Sequence, residues 1–165
     1  MYGVSLKESV DVNSGEVKVD TAGVILRSAA IGSCVVVAAY NLRKKTGAIA
    51  HIMLPGRAPQ QSLEKTKYAF DAIEQMLNRM FEAGAGMNDI EVCLVGAGNV
   101  LQKEDDTICQ DNIKSVSTIL AEKNIPIRAS VLGGTKRKSV FLDVKNGSIS
   151  YTEGDEKEKT LWQAG

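Results

Sequence analysis

The sequence predicts an α/β layered sandwich with mixed or antiparallel strands. Three observations lead there. Short β-branched segments outnumber helical ones, two stretches carry an apolar stripe of helical period, and the run Cys34-Val35-Val36-Val37-Ala38-Ala39 is apolar at every position. Two amphipathic helices must bury their stripes, and sheet is the surface this chain has most of. A continuous apolar run marks a strand covered on both faces.

The first third reads as β structure. Val17 to Val19, Val24 to Leu26, Cys34 to Tyr40 and Ala48 to Leu54 are strand candidates, and the polar segment Asn41 to Gly47 suits a hairpin loop between the last two. After Pro55 the period changes: Ala69, Ile73, Met76, Leu77 and Met80 recur at three and four residues, with Ser62 as N-cap, Glu64 in the first turn and Gly84 as the stop. Ile90 to Val95 is a buried strand followed by the turn Gly96-Ala97-Gly98-Asn99. A second helix is expected from about Asp111, as its cap, to Lys123, with Ile113, Val116, Ile119 and Leu120 on one face and Pro126 just beyond. Ile127 to Leu132, Val140 to Val144 and Ser148 to Tyr151 close the fold, with Asn146-Gly147 as a type I′ hairpin signal between the last two.

The 165 residues form a single expected domain, residues 1–165, with a charged tail from about Thr152 that is expected to fray. An apolar share of 44% with 24% charged residues is that of a globular chain, and 20 basic against 20 acidic side chains leave no footprint for nucleic acid. Lys136-Arg137-Lys138 is too short for such a patch and reads as a solvated strand entry. The longest apolar stretch, Cys34 to Tyr40, is far too short to cross a bilayer, and the N-terminus Met-Tyr-Gly-Val-Ser-Leu-Lys-Glu-Ser lacks the layout of a signal peptide, so a cytoplasmic location is expected. Three widely spaced cysteines and one histidine supply neither a disulfide framework nor a structural zinc set; no metal and no cofactor are expected.

Cys34 closes Ile31-Gly32-Ser33-Cys34, directly before the apolar strand. Gly32 permits a tight turn, and the backbone N–H groups around Gly32 and Ser33 are candidates to hold an oxyanion. The commonplace role of a free cysteine is that of a small buried hydrophobe. His51, the only histidine, follows 17 residues later within Ala48 to Leu54. If the two strands form a hairpin, the start of one lies beside the end of the other, and His51 comes within reach of the Cys34 thiol. It can then take the thiol proton and stabilise the thiolate. The commonplace alternative is a core histidine bonded to a backbone carbonyl. Ser28, six residues before Cys34, is the candidate for a third, orienting group, against the ordinary role of a turn serine. Cys93 looks like core packing, Cys109 has no histidine nearby, and Gly96-Ala97-Gly98 lacks what a phosphate-binding turn needs.

Ser28-Ala-Ala-Ile-Gly-Ser-Cys34-Val followed by Gly47-Ala-Ile-Ala-His51-Ile-Met-Leu-Pro55 resembles the signature of the CheD family. Lys67-Tyr68-Ala69, Val95-Gly96-Ala97-Gly98, Leu132-Gly133-Gly134 and Arg137-Lys138-Ser139-Val140 continue the resemblance. The resemblance implies a three-layer α/β sandwich with mixed, largely antiparallel sheets, and hydrolytic deamidation of glutamines on methyl-accepting chemotaxis receptors. By position it implies Cys34 as nucleophile, His51 as general base and Ser28, where the family more often has threonine, as the third member. It also implies a docking partner, a CheC-type phosphatase, and with it an alternative reading as a regulatory binding module. The chain departs from the family pattern in three places. Cys109, Gln110 and Asp111 stand in its Ile-Gly-x-Arg-Asn, the middle turn is Gly-Ala-Gly instead of Gly-Gly-Ala, and Thr135-Lys136 stands where a glycine is expected before Arg137.

Overall fold

The computed structural model describes residues 8–165; the start of the N-terminal stretch read above for a signal peptide, residues 1–7, lies outside them. Among the described residues, ten strands form two five-stranded sheets. The outer sheet has the order β1 (Ser9–Asp11), β3 (Ile25–Ile31), β8 (Lys138–Asp143), β9 (Ser148–Glu153), β10 (Lys159–Gln163). The central sheet has the order β2 (Val17–Asp20), β5 (Thr46–Ile52), β4 (Val35–Asn41), β6 (Ile90–Gly96), β7 (Ile127–Leu132). Only β1 with β3 and β6 with β7 run parallel; the other pairs are antiparallel.

Two helices, α1 (Ala69–Glu82) and α2 (Ile108–Glu122), cover one face of the central sheet, and the outer sheet covers the other. The result is a three-layer α/β sandwich, as expected. Alternation along β4 divides the two cores: Val35, Val37 and Ala39 meet the helices, while Val36, Ala38 and Tyr40 meet the outer sheet. This explains why the run 34–39 has no polar face. Gly47 in β5 lies hard against the outer layer; a Cβ there would lie 2.7 Å from a methyl of Val144.

Five expectations need correction. The first helix starts at Ala69, not after Ser62. Lys67 O accepts from the amides of Met53 and Leu54, and Leu54 O accepts from Ala69 N, so residues 67–69 are tied to the segment leaving β5, with Tyr68 extended. Ser62 Oγ serves only a local turn, accepting from Glu64 N at 3.2 Å. The second helix starts three residues earlier than expected, at Ile108, with Asp111 in its first turn, where its charge favours the helix dipole. The Asn146-Gly147 turn is a four-residue loop in which Gly147 (φ +69°) is left-handed and Asn146 is not, closed by Gly147 N to Asp143 O at 2.8 Å. Nor is the tail frayed. β9 runs to Glu153, the chain turns, and β10 pairs back along it, with Leu161 and Trp162 packed on the inter-sheet core.

Lys138 is likewise not solvated. It is 1% exposed, and its ammonium is held by the carbonyls of Gly133 and Lys136 with Glu153 at 3.7 Å. A charge can stay buried only when paired and hydrogen-bonded in this way.

A chain ending at Gly154 would lose β10 and the apolar cover of Leu161 and Trp162. It is expected to be less stable than the full chain by about 2 kcal/mol or more, on the scale of burying one or two large side chains. Urea denaturation measures this, and an unchanged midpoint would show that the last strand contributes nothing.

Candidate active site

The turn from β3 into β4 presents Cys34. Its approach is irregular: between Ser28 and Ile31 strand β3 carries one residue more than its partner β8, and Ala30 sits at φ +53°. A bulge re-aims the chain, and a non-glycine residue in the left-handed region is a local cost kept where the surroundings demand it. All three carbonyls of the turn are then tied down. Gly32 O accepts from Gly98 N at 2.9 Å, Ser33 O from Asn112 Nδ2 at 3.1 Å, and Cys34 O from Ala97 N at 2.7 Å.

The turn Gly96-Ala97-Gly98 is therefore a brace for the cysteine turn. At Gly96 (φ +133°) a Cβ would lie 2.2 Å from Cys34 O. Ala97, at φ +54°, occupies a conformation that costs an L-residue roughly 1–2 kcal/mol. This is one of the two positions, 97 and 98, at which the chain departs from the Gly-Gly-Ala pattern.

β4 and β5 pair antiparallel with Val36 opposite His51 and Val35 opposite Ile52. Cys34 lies two residues before Val36, so it shares a face with His51, the face turned to the outer sheet. Cys34 packs at the rim of the inter-sheet core and is partly exposed, while His51 is 4% exposed.

The segment between β1 and β2 completes the surroundings of His51. Its amide donates to Glu16 O at 3.0 Å and its carbonyl accepts from Gly15 N at 2.8 Å. The ring Nδ1 lies 3.2 Å from Val12 O, and Nε2 lies 3.5 Å from Ser14 Oγ. A carbonyl only accepts, so Nδ1 carries the proton and Nε2 keeps its lone pair. The same hydroxyl favours the Cys34 thiolate, so Ser14 bears on both groups.

Ser28 is 1% exposed, and its hydroxyl donates to Val12 O at 2.7 Å. It thus reaches His51 one step removed, through the carbonyl that both share. The residue that touches the imidazole is Ser14, which the sequence reading missed. Its only local signal is the turn-forming Asn13-Ser14-Gly15, and the contact itself is created by the β2–β5 pairing. Val12 contributes a backbone atom and has no side-chain signal at all.

Burial pushes the Cys34 thiol up, against hydrogen bonds from Ser14 and from the cysteine's own amide that hold it down. Burial pushes His51 below its ordinary value, opposed by the hydrogen bond to Val12 and the charge of Glu16. Both shifts favour a neutral thiol beside a neutral imidazole. Burial also drives Cys93 up to about 12 and Cys109 up to about 11, and both are core residues. A cleft of about 330 Å³ lined by Asp11, Ser14, Arg27, Ala29 and His51 opens at the imidazole, and one of about 230 Å³ lies on the Gly32-Ser33 side of the turn.

In a layered α/β/β sandwich, a partly exposed thiol and a neutral imidazole on one face are groups of the kind used in nucleophilic chemistry at a carbonyl carbon. The family comparison narrows the class. Residues 53–153 match the model described as CheD chemotactic sensory transduction. A protein of Chlorobium luteolum named "Probable chemoreceptor glutamine deamidase CheD" is 36% identical over 150 residues, covering 90% of this chain and 75% of that one. The Halalkalibacterium halodurans protein named "Chemoreceptor glutamine deamidase CheD" is 30% identical over 162 residues, covering 94% of this chain and 100% of that one. A Haloarcula marismortui relative with the "Probable" form of that name is 28% identical over 159 residues, covering 95% of this chain and 92% of that one. The chain belongs to the CheD family, a family of amide-hydrolysing enzymes.

Replacing Gly96 by alanine is expected to push the Cys34 carbonyl away and disorder the turn. The rate of Cys34 alkylation by iodoacetamide, followed by peptide mass spectrometry, should change severalfold while β structure by circular dichroism persists. An unaltered rate would show that the brace does not set the thiol's position.

Proposed function

We propose that this chain hydrolyses glutamine side chains on methyl-accepting chemotaxis receptors to glutamate and ammonia, with Cys34 as nucleophile and His51 as general base. The observation that carries the reading is the placement of the thiol and the imidazole on one face of adjacent strands, with the Ser14 hydroxyl 3.5 Å from the imidazole and favouring the thiolate. The relatives' printed names supply the substrate class.

In the first step the thiol proton passes by way of Ser14 to Nε2 of His51, and the thiolate attacks the glutamine δ-carbon. The oxyanion forms beside the Cys34 amide, which is already directed at its own sulfur. The Ser33 amide is the adjacent donor, and such donors are typically worth about 3–4 kcal/mol each. The imidazolium then protonates the departing nitrogen, which leaves as ammonia. Water, giving a proton to the neutral imidazole, attacks the thioester; glutamate leaves and the thiol is restored. Ser28 and Val12 keep the imidazole in the tautomer that this sequence needs.

The reading places the protein in the cytoplasm, beside the signalling domains of its receptors. Among the described residues no helix is long and apolar enough to cross a membrane. The other reading, docking onto a CheC-type phosphatase without chemistry, predicts no ammonia from any folded form of the protein.

Cys34→Ala is expected to abolish ammonia release from receptor fragments, and His51→Ala to slow it by about 10²–10⁴-fold, the usual contribution of a general base. Mass spectrometry of the receptor checks the chemistry: deamidation gains about one dalton per site (oxygen replacing NH), whereas proteolysis gives fragments. Normal turnover by folded Cys34→Ala would end the proposal.

The pH dependence follows from the two shifts. Because the folded protein disfavours protonated His51, the base remains competent below the ordinary histidine value of about 6.5. The acidic limb of kcat/KM should therefore fall below that pH. A limb above it would mean that the imidazole is charged in the resting enzyme.

A further inference from the structure

The β4–β5 ladder ends with Val35 opposite Ile52, one residue short of Cys34. The residue that would pair with Cys34 is Met53, but its amide turns away to Lys67 O at 2.9 Å. Beyond the ladder, the cysteine turn and the segment after His51 are bridged by a side chain from the helical layer. Asn112, fully buried in α2, donates from Nδ2 to Ser33 O at 3.1 Å and to Met53 O at 3.1 Å. Ser33 directly precedes Cys34, and Met53 lies two residues after His51.

Two further features fit a side chain held for its geometry. Its Oδ1 is buried with no hydrogen-bond partner among the described residues, an arrangement that packing alone would select against. One turn on, on the same face of α2, Ser115 Oγ accepts from Gly56 N at 2.9 Å, so the helix grips the segment leaving β5 at a second point.

We infer that Asn112 is a positioning residue: its carboxamide sets the separation between the cysteine turn and the end of the histidine strand, and so the alignment of thiol, Ser14 and imidazole. The inference rests on the Cys34–His51 reading and deepens it. Without Asn112 the cysteine turn would be held to the turn after β6 but not to the histidine strand, since the β4–β5 ladder ends at Val35 and Ile52.

The test compares the full-length wild type with Asn112→Asp, Asn112→Ala, His51→Ala and Val116→Ala. Asn112→Asp keeps the shape but sets an acceptor against two carbonyls. Val116 is a buried residue of the same helix whose side chain has no hydrogen-bonding group, so its truncation serves as the control for lost stability. The readout is the pH dependence of Cys34 alkylation by iodoacetamide, measured well below each variant's melting temperature, together with kcat and KM for ammonia release from receptor fragments.

Both Asn112 variants should move the alkylation midpoint to higher pH and lower kcat by about 10²-fold, the scale of a 1 Å misplacement, with KM little changed. Val116→Ala should melt earlier yet keep the wild-type profile. Folded Asn112 variants with a wild-type profile would overturn the inference, as would Val116→Ala shifting it equally. If neither Asn112 variant folds, Asn112→Ser, with its single donor, faces the same two outcomes. A profile indifferent to His51→Ala would sink the Cys34–His51 reading itself. A profile that depends on His51 but not on Asn112 sinks only the clamp.

Discussion

The register of β4 against β5 is the constraint on which the rest depends. With Val36 opposite His51, the side chains of Cys34 and His51 point to the same side of the central sheet. A slip of one residue would send one of them to the helical side. Such slips are prevented by the apolar content of both faces: every residue of β4 and β5 is buried, in cores of different composition. Gly47 adds a steric lock, since only a residue without a side chain fits beneath Val144. The hydrophobic effect thus positions the chemistry, and the polar contacts refine what the sheet has already arranged.

Around that register the site is assembled from three directions. The segment between β1 and β2 brings Val12 O and Ser14 to the two ring nitrogens. The turn after β6 binds the carbonyls of Gly32 and Cys34, and α2 binds those of Ser33 and Met53. Val12 O is the hub of the imidazole's surroundings, because a carbonyl has two lone pairs and here both a buried hydroxyl and a ring N–H come to them. This explains how a serine six residues before the cysteine can bear on the histidine without touching it.

What the sequence reveals follows from which interactions leave a mark in it. The doubly buried strand, the helical stripes and the hairpin joining Cys34 to His51 are patterns of side chains, and they were legible. The delayed start of α1 was not, because backbone bonds between Leu54 and residues 67–69 override the capping potential of Ser62. β10 was hidden by composition: a charged segment reads as solvent-loving, yet Leu161 and Trp162 alone suffice to seat it on the core. Lys138 misled for the converse reason, since its two carbonyls and Glu153 are brought to it only by the folded turn. Ser14 and Asn112 act through long-range contacts, and no local periodicity announces either. Asn112 was visible as the last residue of a motif whose preceding positions had changed, but its role appears only once α2 is seen across both strand ends.

The electrostatic state of the pair has a consequence for selectivity. Burial raises the cost of a thiolate and of an imidazolium alike, so the resting site does not hold the ion pair that would make a cysteine broadly reactive. In the proposed mechanism, charge separation is favoured when an acyl carbon is in place to receive the sulfur's electrons, since the negative charge then moves to an oxygen beside fixed amide donors. Ser14, the Cys34 amide and the charge of Glu16 act against burial and keep that transient separation within reach. The balance needs all of them at fixed distances, which is why so much of the surrounding structure goes into tethering three consecutive carbonyls of one short turn.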